Sequence, residues 1–180
     1  MDTFKRLSII SLLLLCLLVT GCAQTQASDS ELIADAESAA PESVTMNATI
    51  KTAEGRVLRQ GSNSWTCYPG SGAIGPMCNQ SQWDDLIEAV MTKAPIDVTE
   101  FSLSYMMAGE GEALGVSNVD PFATEPTDDN QWVKEGPHLM ILVPDQAILE
   151  GISTDPQDPV YVMWKGTPYA HIMVKVGEQE

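Results

Sequence analysis

The strongest local pattern in this chain is a stripe of apolar residues at helical spacing. Trp83, Leu86, Ile87, Val90 and Met91 recur at i, i+3, i+4, i+7 and i+8, which places them on one face of an α-helix. Ser81 stands at its head as an N-cap with Asp84 three residues on, a near capping box, and Pro95 stops it. The segments around this helix read as strands. Met46–Lys51 and Arg56–Arg59 flank Ala53-Glu54-Gly55, a hairpin turn with Gly55 in the left-handed position. Ser64–Tyr68 follows a Gly61-Ser62-Asn63 turn, and Phe101, Leu103, Tyr105 and Met107 alternate with Ser102 and Ser104 as a half-exposed strand. His138–Val143, Pro159–Trp164 and His171–Val176 make three more, and Asp145 caps a single helical turn before Gly151. One helix among six to seven strands in this order predicts an α+β domain, a mainly antiparallel sheet with the amphipathic helix packed on it.

The N-terminus decides how much of the chain is left to fold. Lys5 and Arg6 precede an apolar run from Leu7 to Val19. That run is shorter than the about 20 residues a membrane-spanning helix needs, and it has the length of a signal-peptide h-region. Val19-Thr20-Gly21-Cys22 then resembles the lipobox of bacterial lipoproteins. The thiol must take its diacylglyceryl group before the peptidase cuts, so small residues stand ahead of it. The expectation is a signal peptide over 1–21 and Cys22 as an acylated, palmitate-bearing N-terminus anchored in a membrane, since two or more chains hold stably where one does not. By resemblance to the sorting pattern of Gram-negative lipoproteins, Ala23 rather than Asp after the cysteine implies the outer membrane, facing the periplasm. Residues 22–45 are rich in Ala, Ser, Gln and Glu with Pro41, and read as a flexible tether carrying at most a transient helix at Ser30–Ala40. Residues 46–178 are then a single globular domain.

Cleavage would remove Asp2, Lys5 and Arg6. That leaves seven basic against 24 acidic residues, a formal charge of −17 where the whole chain has −16. Such a surface repels phosphate backbones, which excludes nucleic acid as a partner. It repels anionic headgroups as well, which leaves the anchoring to the lipid.

Cys67 and Cys78 are the only thiols left once Cys16 is removed and Cys22 acylated. In an oxidising compartment the pair reads as a disulfide, and the spacing is not that of a redox motif. His138-Leu139-Met140 and His171-Ile172-Met173 each place an imidazole and a thioether on one face of a strand, with Trp164 preceding the second. Soft donors of this kind select Cu(I), so His138, Met140, His171, Met173 and Trp164 are a candidate copper or other ligand pocket, with core packing as the alternative. Ala108–Glu135 holds seven acids with three glycines and two prolines, and little strand or helix pattern. Irregular stretches of that length are usually functional or disordered. Val116, Val119, Phe122 and Trp132 argue that it folds back on the body, and Glu110, Glu112 and Asp120 are its candidate acidic residues. Asp128-Asp129-Asn130 lacks the alternating spacing of a calcium loop. There is no Gly-x-Ser-x-Gly elbow, phosphate loop or dinucleotide glycine pattern.

Taken together, Trp65-Thr66-Cys67, Pro76-Met77-Cys78, Asp120-Pro121-Phe122-Ala123-Thr124, Gly136-Pro137-His138-Leu139-Met140 and Val162–His171 resemble segments of a group of uncharacterised secreted bacterial proteins. The resemblance spans about residues 46–176 and carries no catalytic residue over. It implies that the cysteines, the Asp-Pro-Phe segment and both histidine segments belong to one unit. The residues favour a non-enzymatic envelope lipoprotein that binds a small ligand or an envelope protein, because no nucleophile–base pair is recognisable. Two alternatives stand beside it: a hydrolytic enzyme using His138 and His171, and a soft-metal binder. Convergence of both imidazoles with Glu110, Glu112 or Asp120 in one cleft would favour those alternatives.

Overall fold

The computed structural model describes residues 27–177, so the signal peptide expected over 1–21 and the acylation expected at Cys22 lie outside the described residues. The architecture is α+β, as expected. Eight strands form one mixed, mostly antiparallel sheet, where six to seven were expected. The strands are β1 (Thr49–Lys51), β2 (Val57–Arg59), β3 (Thr66–Tyr68), β4 (Met77–Asn79), β5 (Ser102–Met106), β8 (His138–Leu142), β9 (Val160–Met163) and β10 (His171–Lys175). Their spatial order is β2-β1-β3-β4-β5-β8-β10-β9, and β1–β3 is the parallel pair. A separate two-stranded ribbon joins β6 (Val116–Ser117) to β7 (Trp132–Val133). Gly55 turns the β1–β2 hairpin at φ 85°, a backbone region that costs glycine nothing.

The main helix, α3 (Ser81–Thr92), forms where the stripe places it. Trp83 and Leu86 are wholly buried, Ile87 and Val90 pack at the margin, and Met91 points to solvent at 79 % exposure. Ser81 is the first helical residue and Gln80 the cap, so Asp84 does not close a capping box. Its carboxylate accepts instead from Asn79 Nδ2 at 3.0 Å, and burial raises its pKa above the ordinary value. Lys93, in the left-handed region at φ 54°, ends the helix two residues before Pro95.

In β5 the alternation holds but its faces are the reverse of what hydropathy alone suggests. Ser102, Ser104 and Met106 are buried under α3, Leu103 and Tyr105 are half-buried on the other face, and Phe101 is exposed. The small serines leave room for the Trp83 indole, whose N–H donates to the Ser102 carbonyl at 3.1 Å. Ser104 Oγ donates to Asn79 Oδ1 at 2.6 Å. The indole N–H and the Ser104 hydroxyl are thus bonded where burial would otherwise penalise them, whereas the Ser102 hydroxyl is buried without a partner.

Strand β4, three residues long, is too short to show a period in the sequence. It is held by the disulfide Cys67–Cys78, whose residues lie directly opposite each other across β3 and β4 with Cα atoms 4.0 Å apart. The tether expected over 22–45 is corrected from Asp29 onward. Asp29–Glu37 (α1) and Glu42–Thr45 (α2) are helices, and Ala36, Ala39 and Ala40 pack on Ile50, Cys67 and Cys78. Ser28 closes a capping box with Glu31, and alanines give a close approach that needs no large side chain. The fully buried part of this face is alanine, with Ile33 and Val44 at its margin, a composition with little hydrophobic signal.

The sheet is therefore covered on both sides. On one face α3 and the excursion from Ala108 close over Met77, Met106, Met140, Met163 and Met173. On the other, α1 covers the β1–β3 end and the single turn Gln146–Leu149 packs on Val162 and Ala170.

Candidate functional site

Strands β8 and β10 are neighbours, and in each the histidine and the methionine share the buried face. The antiparallel register then separates them. Met173 lies opposite Met140, whereas His138 lies opposite Lys175 and His171 falls level with Leu142. A soft-metal pocket would need both imidazoles and both thioethers to open into one space, and this register does not align the two motifs: a parallel pair would have done so, and an antiparallel pair reverses one of them. His138 donates from Nδ1 to the Gly136 carbonyl at 2.7 Å, and His171 from Nδ1 to the Tyr169 carbonyl at 3.0 Å. Trp83 and Trp164 flank the His171 ring edge-on, each with centroids 5.0 Å away. Burial lowers the pKa of both imidazoles, that of His171 to about 4. Among the described residues, neither imidazole bonds a hydroxyl or a thiol, and no three His, Cys, Asp or Glu side chains are grouped to hold a metal ion.

The acidic candidates do not converge on the histidines either. Glu112 is exposed. Asp120, also exposed, accepts from the Phe122 N–H at 2.9 Å, a turn contact. Glu110 is buried and accepts from the Gly75 N–H at 2.9 Å, while burial, reinforced by the nearby Glu135 charge, raises its pKa. Glu135, which stood out in the sequence only as the end of the irregular stretch, is the more connected acid. Its Oε1 accepts from the Tyr161 hydroxyl at 2.8 Å and its Oε2 pairs with Lys175 at 3.3 Å. Both oxygens are committed to β9 and β10, so the group anchors the excursion rather than serving a substrate. Glu135→Ala is expected to cost about 1–2 kcal/mol, because it leaves the Tyr161 hydroxyl without its partner and the Lys175 ammonium with the Pro156 carbonyl alone. Urea unfolding of the variant beside Tyr161→Phe checks this, and a cost no larger than that of Tyr161→Phe would refute the anchoring role.

The excursion is tied to itself and to the body at several points. Phe122 packs edge-on against Tyr169 at 5.6 Å, with the Lys93 ammonium 5.0 Å from its ring centre. Ser117 Oγ donates to the Asn130 carbonyl at 2.7 Å. Gly115, at φ 86°, lies so close to β7 that a Cβ there would sit 2.2 Å from the Val133 carbonyl oxygen. No larger residue fits without parting the β6–β7 ribbon. Asn118, nearly fully buried, is the hub. Its N–H donates to the Gln131 carbonyl at 3.1 Å, its Nδ2 donates to Gln131 Oε1 at 2.8 Å and to the Thr154 carbonyl at 3.0 Å, and its carbonyl accepts from Trp164 N at 2.8 Å. No local pattern marks Asn118, because its partners lie 13, 36 and 46 residues away along the chain.

Two open cavities adjoin this hub. One, of about 300 Å³, is lined from Val119 to Asn130 and includes Asp120. The other, of about 460 Å³, lies between Gln131–Val133 and Thr154–Gln157. No protein family model matches the chain, and no curated protein or solved structure is significantly similar to it.

Proposed function

We propose that this chain is a lipid-anchored lipoprotein of the bacterial envelope whose domain is a binding module, with its ligand taken up by the irregular excursion Ala108–Glu135. The observation that carries the reading is that the excursion contributes a wall to both open cavities, while the two histidines stay packed in the core. A long loop that folds rigidly against a sheet by way of Asn118, Phe122 and Glu135 presents its surface with little ordering left to lose on binding. The anchor rests on the Val19–Cys22 motif, with the outer membrane favoured by Ala23. No described helix is long and apolar enough to cross a membrane.

Two measurements test this proposal. For the anchor, the mature N-terminus is expected to carry acyl chains in mass spectrometry, and Cys22→Ala is expected to leave the chain unacylated and unprocessed or cut elsewhere. A wild-type mature N-terminus without lipid would refute it. For binding, small-molecule fractions of the native envelope are added to the isotope-labelled lipoprotein and amide shifts are read. Shifts are expected within 116–133 and 154–157. Shifts centred on His138 and His171 would transfer the argument to an enzyme.

A further inference from the structure

The cavity between Gln131–Val133 and Thr154–Gln157 has the chemistry of a site for an uncharged, hydroxyl-rich ligand. We propose that it is a saccharide subsite, an inference that rests on the binding reading of the excursion and names the ligand class.

Gln131 is one of three non-glycine residues at positive φ (46°) among the described residues, a conformation that persists only where surrounding contacts hold it. Here the contacts are those of Asn118, which grips both the backbone carbonyl and the side-chain oxygen of Gln131. With Oε1 engaged, the Gln131 amide nitrogen is the end left to a ligand. Asn118 Nδ2 also reaches the Thr154 carbonyl, so one buried side chain sets the separation of the two walls. Trp132 donates its indole N–H to the Leu114 carbonyl at 2.8 Å. What its half-buried ring has left to offer is carbon surface, suited to the C–H face of a sugar. Across the cavity, the Asp155 carboxylate accepts from the Gln157 N–H at 2.9 Å, and the Gln157 side chain is exposed.

The charges exclude other ligand classes. No Lys, Arg or His lines the cavity. Lys175 is not on the lining, and its ammonium is engaged by the Pro156 carbonyl and by Glu135. A phosphate or carboxylate would find no cation, within a chain of strongly negative net charge. Asp155 is the one carboxylate on the lining, too few for a hard cation, which takes six or more oxygens. A volume of about 460 Å³ is within the range of small-molecule sites, and three apolar groups (Trp132, Val133 and Pro156) among amides and a hydroxyl are too polar for a hydrophobic ligand. Amide and carboxylate groups that grip adjacent hydroxyls, with an aromatic ring beneath, are what remains.

The experiment uses the full lipoprotein in a detergent without a sugar headgroup. Chitotetraose, cellotetraose, maltotetraose and mannotetraose are titrated by calorimetry, with tetragalacturonate and a proline-rich peptide as contrasting probes. At least one neutral tetrasaccharide is expected to bind. Trp132→Ala and Gln157→Ala should each weaken it about tenfold or more, and Glu88→Ala, exposed on α3 and on the lining of neither cavity, should leave it unchanged. Gln157 is exposed, so its variant keeps the test open if Trp132→Ala fails to fold. Absence of binding by all four, binding indifferent to Gln157→Ala, or preference for the anionic glycan or the peptide would each overturn the proposal. If it falls while envelope fractions still shift the excursion, the broader binding reading survives. If neither produces an effect, both fall.

Discussion

Trp83→Ala is expected to remove about 3–5 kcal/mol of unfolding free energy. The indole is 1 % exposed, fills the space above Ser102 and Ser104, donates to the Ser102 carbonyl and meets the His171 ring edge-on. Truncation opens a cavity that the short serine side chains cannot fill, and it strands a buried carbonyl. Leu86→Ala, on the same face and fully buried, should cost about 2–5 kcal/mol, while Met91→Ala on the solvent side should change little. Urea denaturation with unchanged slope checks all three. A cost below about 0.5 kcal/mol for Trp83→Ala or Leu86→Ala would mean that the helix does not pack by this face.

The second large effect is a loss of stability in acid that belongs to His171. Its Nδ1 proton is bonded to the Tyr169 carbonyl, its Nε2 is buried without a hydrogen-bond partner, and burial brings its pKa from 6.5 to about 4. Above pH 6.5 neither the folded nor the unfolded chain protonates this imidazole, and the contribution is complete. As the pH falls from 6.5 towards 4 the unfolded chain takes up a proton that the folded chain refuses, and stability drops by about 3 kcal/mol in all. Below about 4 both states are protonated and the loss stops growing. His138 acts in the same direction. Glu110 and Asp84 act in the opposite one, since burial raises their pKa values and the folded state then holds their protons more tightly. The His171 share is isolated by subtraction. His171→Leu should have a stability curve that falls less steeply between pH 6.5 and 4 than that of the wild type. Parallel curves would contradict the burial of a neutral imidazole.

The main helix, most strands and the α+β class were legible in the residues, because period 3.6 at Trp83–Val90 and period 2 at His138–Leu142 are local properties. The same periods say which residues share a face and not which face is covered. In β5 that choice was made by Trp83, a residue from another element. Composition misjudged Asp29–Thr45 because packing against the disulfide is done mostly by alanines, with Ile33 and Val44 too sparse to make a hydrophobic pattern. The candidate site was half legible. The length and irregularity of Ala108–Glu135 marked it, while Asn118 and Glu135, which fix its shape, gave no signal, since their partners come from distant parts of the chain.

What this sequence determined by itself was local and chemical: the apolar run that ends in the Val19–Cys22 motif, the excess of acid, the helix, the strands, and a histidine and a methionine sharing one face in each of two strands. What only the tertiary structure decided was direction and register. The antiparallel pairing of β8 with β10 set Met140 against Met173 and sent the two imidazoles to opposite ends. Strand order and register depend on contacts between residues far apart in the chain, which local periodicity does not encode, and here they moved the candidate site from the histidines to the walls of the excursion.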